Sequence, residues 1–177
     1  MMILGTKRTY LREIRIDDFI DLCKILRDID VMYAWEHAFS TEEVLSWIDE
    51  NILRYDRDGY SYWAVIEKSS DRLIGVSGVI KEEAEGENYT GIGYIFNKDY
   101  WGKGYAIEVA SACVRYAFAV LGVEEITAQI RPKNASSIRI AEKLGMSMKL
   151  GFVRTYKGKD MIHALYGLTE ENYYAND

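Results

Sequence analysis

The chain has 177 residues, 49% hydrophobic and 28% charged, with a single proline and a formal net charge of −6. This composition excludes disordered and fibrous classes and fits one globular domain over 1-177, long enough to bury a core without disulfides. The negative charge removes the attraction on which nucleic-acid binding depends, and no apolar run approaches the roughly 20 residues of a membrane span. No nucleic acid and no membrane are therefore expected as partners, and the opening MMILGTKRTY has no signal-peptide pattern, so a cytoplasmic protein is expected. Cys23 and Cys113 stand far apart and outside any Cys-x-x-Cys motif; they read as free thiols, with no metal.

The first predicted strand is Thr9 to Ile14, and Asp17 is then expected to cap an amphipathic helix ending near Ile29. Ser40-Thr-Glu-Glu43 is a capping box, which opens a second helix with Val44, Leu45, Trp47, Ile48 and Ile52 on its apolar face. Tyr60 to Ile66 and Leu73 to Ile80 read as a hairpin around the polar turn at 68–72, and 81–88 as an acidic loop. Tyr89 to Phe96 is the fourth strand, rich in β-branched and aromatic residues. After Trp101-Gly-Lys-Gly-Tyr105 a helix is expected to about Leu121, with Gly122 ending it. Glu125 to Ile130 is the fifth strand, Asn134 caps a short helix to Gly145, and Met148 to Tyr156 and Met161 to Leu168 complete the chain.

The most informative segment is the glycine turn between a strand and a helix. The first N–H groups of a helix have no partner within it, so such a junction is a ready anion site. Gly102 and Gly104, lacking Cβ atoms, let the backbone from Gly102 to Ala106 close on a phosphate, with Lys103 adding charge. Taken alone, Gly-Lys-Gly before a helix favours a plain helix start, since such turns are frequent. In context, Trp101-Gly-Lys-Gly-Tyr-Ala106, preceded by Gly91-Ile-Gly-Tyr-Ile-Phe96 and followed by Asn134-Ala-Ser-Ser-Ile-Arg-Ile-Ala-Glu-Lys-Leu-Gly-Met146, resembles the GNAT superfamily of acetyltransferases. Over nearly the whole chain the similarity is closest to the ribosomal-protein N-terminal, RimJ/RimL-like, branch. Trp101 departs from the family's usual Gln or Arg, a change of side chain that leaves the backbone amides in place.

The resemblance implies an α/β fold: a mixed, mostly antiparallel sheet, splayed between its fourth and fifth strands and flanked by helices. It implies acetyl-CoA as co-substrate, with its pantetheine arm along the backbone of Tyr94, Ile95 and Phe96 and its pyrophosphate on Trp101, Gly102, Lys103, Gly104, Tyr105 and Ala106. Asn134 would then serve both as helix cap and as coenzyme contact. Glu108, near a helix N-terminus, is read as structural. The implied acceptor is a primary amine, favouring a protein N-terminus over a polyamine or aminoglycoside. The resemblance also allows a homodimer, and a catalytically silent coenzyme-binding module is the competing reading.

Acetyl transfer by direct attack needs a deprotonated amine, a stabilised oxyanion and a proton for the departing thiolate. Many relatives supply that proton from a tyrosine at the position of Ala141, so here Ser137 is the candidate acid, directly or through water. The candidate bases are Glu36, His37, Glu82 and Glu83, all expected on loops, and the sequence does not choose among them. Trp35, with Glu36 and His37, is expected to border the acceptor; an ordinary core tryptophan explains Trp35 as well. A serine hydrolase is excluded because Ser77 lies inside a strand pattern rather than at a strand-to-helix elbow.

Overall fold

Residues 2–175 are described by a computed structural model. Eight strands form one sheet: β1 Met2–Gly5, β2 Thr9–Glu13, β3 Tyr62–Glu67, β4 Arg72–Ala84, β5 Glu87–Phe96, β6 Glu125–Ile130, β7 Ser147–Tyr156 and β8 Lys159–Thr169. Their spatial order is β1-β2-β3-β4-β5-β6-β8-β7. Every neighbouring pair is antiparallel except β5 with β6. Five helices flank it: α1 Phe19–Leu26, α2 Thr41–Asp58, α3 Tyr105–Ala119, α4 Ala135–Lys143 and α5 Glu170–Ala175.

The central strands are apolar on both faces because helices cover both. Trp63 and Val65 of β3 join a core with Val109, Cys113 and Ala117 of α3, whereas Ala64 and Ile66 join one with Leu22 and Ile25 of α1 and Val44 and Ile48 of α2. Alternate residues of one strand thus serve two cores, which is why these segments read as continuous hydrophobic runs rather than alternating ones. Leu73 to Ile80 of β4 is buried throughout for the same reason.

β5 and β6 meet in register at Gly91 opposite Thr127, and beyond that single pairing they diverge. This is the splay expected between the fourth and fifth predicted strands. Because β5 keeps its full ladder with β4 from Glu87 to Phe96, its other edge is left open along the divergence.

The expected acidic loop at 81–88 is instead the outer half of the β4–β5 hairpin. Glu85 and Gly86 both adopt left-handed backbone, φ 53° and 80°, the geometry of a tight two-residue hairpin turn. The polar run misled because this part of the hairpin extends past the core, where outward positions take charge while Ala84 is buried. Asp17 does not cap α1. Asp18 stands at the N-cap position but makes no side-chain capping bond to α1; its carboxylate instead closes the preceding turn, accepting from the backbone N–H of Arg15 at 2.8 Å and from both terminal nitrogens of Arg12 at 2.8 and 2.7 Å. Beyond the predicted elements, β1 pairs antiparallel with β2 at the sheet edge, and α5 follows β8.

The capping box of Ser40 and Glu43 is present, and Asn134 caps α4 by accepting from the Ser137 N–H at 3.2 Å. Among the described residues, no helix is long and apolar enough to cross a membrane, and no three potential metal ligands stand together.

Candidate active site

The divergence of β5 from β6 opens a cleft of about 870 Å³. One end is walled by the glycine turn and α4, the other by β4, β6, β7, β8 and the segment that joins α1 to α2.

At the first end, α3 begins without any side-chain cap. Gly102 and Gly104 have φ 71° and 79°, and these left-handed values hold the turn so that the first backbone N–H groups of α3 open onto the cleft. Across from them α4 presents Ser136, Arg139, Ile140 and Lys143, spaced three, four and seven residues apart, so one helical face lines the wall. A 15-residue helix with an uncapped start, facing two cations, suits a phosphate-bearing group. Sequence reasoning missed Arg139 and Lys143, although their spacing after Asn134 was the available signal. Lys103, which it favoured, is turned aside: its Nζ donates to the Asp99 carbonyl at 2.8 Å and stands 5.3 Å from the Tyr100 ring centroid. Glu108 ties the β1–β2 turn to α3, accepting from the Thr6 hydroxyl at 2.7 Å and from the backbone and side chain of Arg8 at 2.8 and 2.7 Å.

Along the open edge of β5, the Trp101 indole N–H donates to the Phe96 carbonyl at 2.9 Å, which leaves the backbone from Ile92 to Ile95 as the free stretch. The Tyr94 hydroxyl donates to the Ser137 carbonyl at 3.3 Å and ties β5 to α4. Burial pushes that phenol up to about 12, so it stays protonated. Ser137 lies on the cleft wall beside this tie. Asn134 Oδ1 also accepts from the Tyr33 hydroxyl at 2.6 Å, a contact from the α1–α2 segment that the sequence did not reveal. Ala141 is 1% exposed and packed in the α3 core rather than on the cleft wall, so a tyrosine there would collide with the core before reaching the site.

The four candidate bases separate clearly. Glu36, with φ 54°, accepts from Arg131 at 3.2 Å and from Lys133 and Lys159. These cations, Lys133 foremost, hold its carboxyl down at about 2, too weak a base for an ammonium. His37 pairs with Glu43 at 2.7 Å and does not line the cleft. Glu83 points to the hairpin turn, accepting from the Gly86 N–H at 2.8 Å. Only Glu82 of the four lines the cleft. One of its carboxylate oxygens is buried without a hydrogen-bond partner. Burial pushes its carboxyl up to about 7, against the opposing pull of Arg154 and Arg54.

The glycines of Gly91-Ile-Gly93 make room for this end. A Cβ on Gly91 would overlap the Glu82 carboxylate, and one on Gly93 would overlap the Tyr62 hydroxyl. The two absent side chains are thus replaced by a carboxylate and a phenol folded over β5. Trp35 lines the cleft while packing against the core of α1 and α2. His163, half-buried, has its pKa lowered by burial and donates from Nδ1 to the Met161 carbonyl at 3.0 Å.

Residues 8–147 match the family model described as an acetyltransferase (GNAT) domain. The chain is 33% identical over 144 residues to the uncharacterized protein YkkB of Bacillus subtilis, covering 81% of this chain and 84% of that one. It is 32% identical over 146 residues to the uncharacterized N-acetyltransferase YnaD of the same organism, covering 82% of each. Among solved structures, a GNAT-family acetyltransferase from Bacillus anthracis superposes with a TM-score of 0.80 at 28% identity, over 97% of this chain and 99% of that one. Two more distant structures share the fold. RimL, a ribosomal-protein α-N-acetyltransferase in complex with coenzyme A, has a TM-score of 0.78 at 17% identity, over 97% of this chain and 99% of that one. The Vibrio cholerae spermidine N-acetyltransferase, in complex with coenzyme A and spermine, has 0.76 at 17% identity, over 94% and 98%.

Proposed function

The chain belongs to the GNAT family of acetyltransferases and is an N-acetyltransferase, and from that premise we propose that it acetylates a peptide or protein N-terminus with Glu82 as general base. We further propose that the whole chain acts as a single acetyltransferase domain, since β8 completes the wall opposite the glycine turn. The choice of an N-terminus rests on the resemblance to the ribosomal-protein branch. RimL and the spermidine enzyme were each solved with coenzyme A, which supports the same co-substrate here.

Acetyl-coenzyme A supplies the activated acetyl thioester. The chain's part is to hold it and to manage protons. The amides at the start of α3, with Arg139 and Lys143, take the phosphates, and the open edge of β5 from Ile92 to Ile95 takes the arm. Glu82 accepts a proton from the acceptor's ammonium. The freed nitrogen lone pair forms the new C–N bond as the C–S bond breaks, so no protein nucleophile is required. The nitrogen's second proton leaves as the amide forms and passes through Ser137, or a water that Ser137 orients, to the departing thiolate.

The observation that carries this reading is the buried, unpartnered oxygen of Glu82 in the cleft wall. A carboxyl near 7 is matched to proton removal at neutral pH, where a carboxylate held at about 2 is not. Glu82→Gln keeps the shape and removes the base. It should lower kcat by about 10²–10⁴-fold while acetyl-coenzyme A binds as before. An unchanged kcat in a folded Glu82→Gln variant would assign the base elsewhere, and absence of thiol release with every amine tested would favour the silent coenzyme-binding module.

A further inference from the structure

The cleft wall carries a charge opposite to that of the whole chain. Against a net charge of −6, the wall presents Arg54, Lys81, Arg131, Arg139, Lys143 and Arg154, with Glu82 as its sole carboxylate among the described residues. Arg139 and Lys143 lie on α4 beside the proposed phosphate site. The other four come from α2, β4, the end of β6 and β7, and surround the acceptor end.

Partners on the protein do not cancel these charges equally. Lys81 has Asp58 at 2.9 Å, and Arg54 has Glu50 at 2.9 Å. Arg131 reaches Glu36 at 3.2 Å, but that carboxylate is shared with Lys133 and Lys159, so three cations stand on one anion. The Arg131 Nε is buried without a partner. Arg154 donates to the neutral Gln129 Oε1 at 3.0 Å and has no carboxylate within ion-pair distance among the described residues. Both guanidinium groups act electrostatically on His163, and Arg154 acts on Glu82, so they border the place where the amine loses its proton.

An under-compensated guanidinium lining a cleft repels a polycation and attracts a carboxylate or phosphate, which it can hold through paired N–H donors. We infer that the acceptor is an amine that itself carries an anionic group, a carboxylate or phosphate close to the reacting nitrogen, which docks against Arg154 and Arg131. For an N-terminus this means an acidic side chain within its first residues. The inference rests on the cleft being the acetyl-transfer site and narrows what enters it. It also reverses what the bulk charge suggests: the acidic surface would gather polyamines that the cleft itself turns away.

The experiment measures acetylation of three C-terminally amidated peptides with the same first residue, followed by two aspartates, two asparagines or two lysines. Spermidine and free glutamate complete the panel. The acidic peptide should have at least a roughly tenfold higher kcat/KM than the lysine peptide, a margin that shrinks with salt. Arg154→Gln should remove most of that preference; because Arg154 also acts on Glu82, the readout is the ratio of acidic-peptide to asparagine-peptide kcat/KM, which a merely structural Arg154 would leave as in the wild type. If free glutamate equals the acidic peptide, the anion belongs to a small amino acid; if only peptides react, it belongs to an N-terminus, and either result supports the anionic acceptor. Equal rates for all three peptides, spermidine as the best acceptor, or an unchanged ordering in Arg154→Gln would overturn it. Calorimetry of the same ligands on the protein saturated with coenzyme A separates this inference from the reading beneath it. Tighter binding of the acidic peptide without acetylation keeps the anionic site and removes the transfer reaction, whereas affinities without ordering remove the anionic site.

Discussion

At the scale of single residues, the site depends as much on missing atoms as on present ones. Glu82 can lie over β5 because Gly91 has no Cβ, and Tyr62 because Gly93 has none. Gly91→Ala should therefore move the carboxylate while leaving the ladder between β4 and β5 intact, since the obstruction is a flexible side chain rather than backbone. Displacement of a catalytic group by about 1 Å can cost on the order of 10²-fold, so kcat should fall by that order with unchanged coenzyme affinity. A Gly91→Ala variant with wild-type kcat would mean that the position of Glu82 is immaterial. The residue pair was visible in the sequence as Gly91-Ile-Gly93, but what fills the two spaces was not. Glu82 reaches Gly91 only through the register of the β4–β5 hairpin, and Tyr62 reaches Gly93 from β3, on the far side of β4. The other bases were equally invisible as pairs: Glu36 is engaged by Lys133 and Lys159, roughly a hundred residues away in the chain. Sequence alone cannot weigh a carboxylate whose partners are that remote.

At the scale of elements, local signals fared well where the local chain decides the outcome. Ser40 with Glu43, and Asn134 with Ser137, are caps whose donors and acceptors lie within one turn, so their spacing sufficed. Failures fell where tertiary position decides. The polar residues at 81–88 form strands because the hairpin continues past its core, and β1 exists because β2 offers it an edge. The α3 start shows the same division: its glycine turn was legible, whereas its partner cations belong to α4. Gly104 is the element-scale test of the anion site. Gly104→Asp and Gly104→Asn impose the same left-handed strain at φ 79° and nearly the same size, and they differ in charge. The aspartate should weaken acetyl-coenzyme A binding at least about tenfold more than the asparagine, because a like charge sits where a diphosphate docks. Equal affinities in calorimetry would leave α3 as a helix start with no anion at it.

At the scale of the whole molecule, one sheet carries two cores and one opening. The order of most of its elements was readable from apolar periods and turn residues, whereas the splay between two parallel neighbours was expected only through the family resemblance that the motifs around the glycine turn carry. The electrostatic character of the opening was not, since a net charge sums the surface while the cleft is a local selection from β4, β6, β7, α2 and α4. The short segment joining α1 to α2 is tied to the β7–β8 hairpin by Glu36 with Lys159, and the first turn of α2 by Glu43 with Lys157, closing one side of the acceptor end with charge pairs. The central claim is that a buried carboxyl in this opening deprotonates the acceptor. Its most direct measurement is kcat/KM for acetyl transfer against pH, in the wild type and in Glu82→Gln, with an acceptor whose own ionisation is determined separately. The base works ionised, and burial has raised it from 4.5 to about 7. Activity should accordingly rise with pH through about 7 and then level once the acceptor's own titration is divided out, and Glu82→Gln should abolish that limb. His163, whose pKa burial lowers, would titrate on the acid side of its usual value and would persist in the variant. A wild-type profile flat across 6 to 8, or a limb that survives unchanged in Glu82→Gln, would contradict the account.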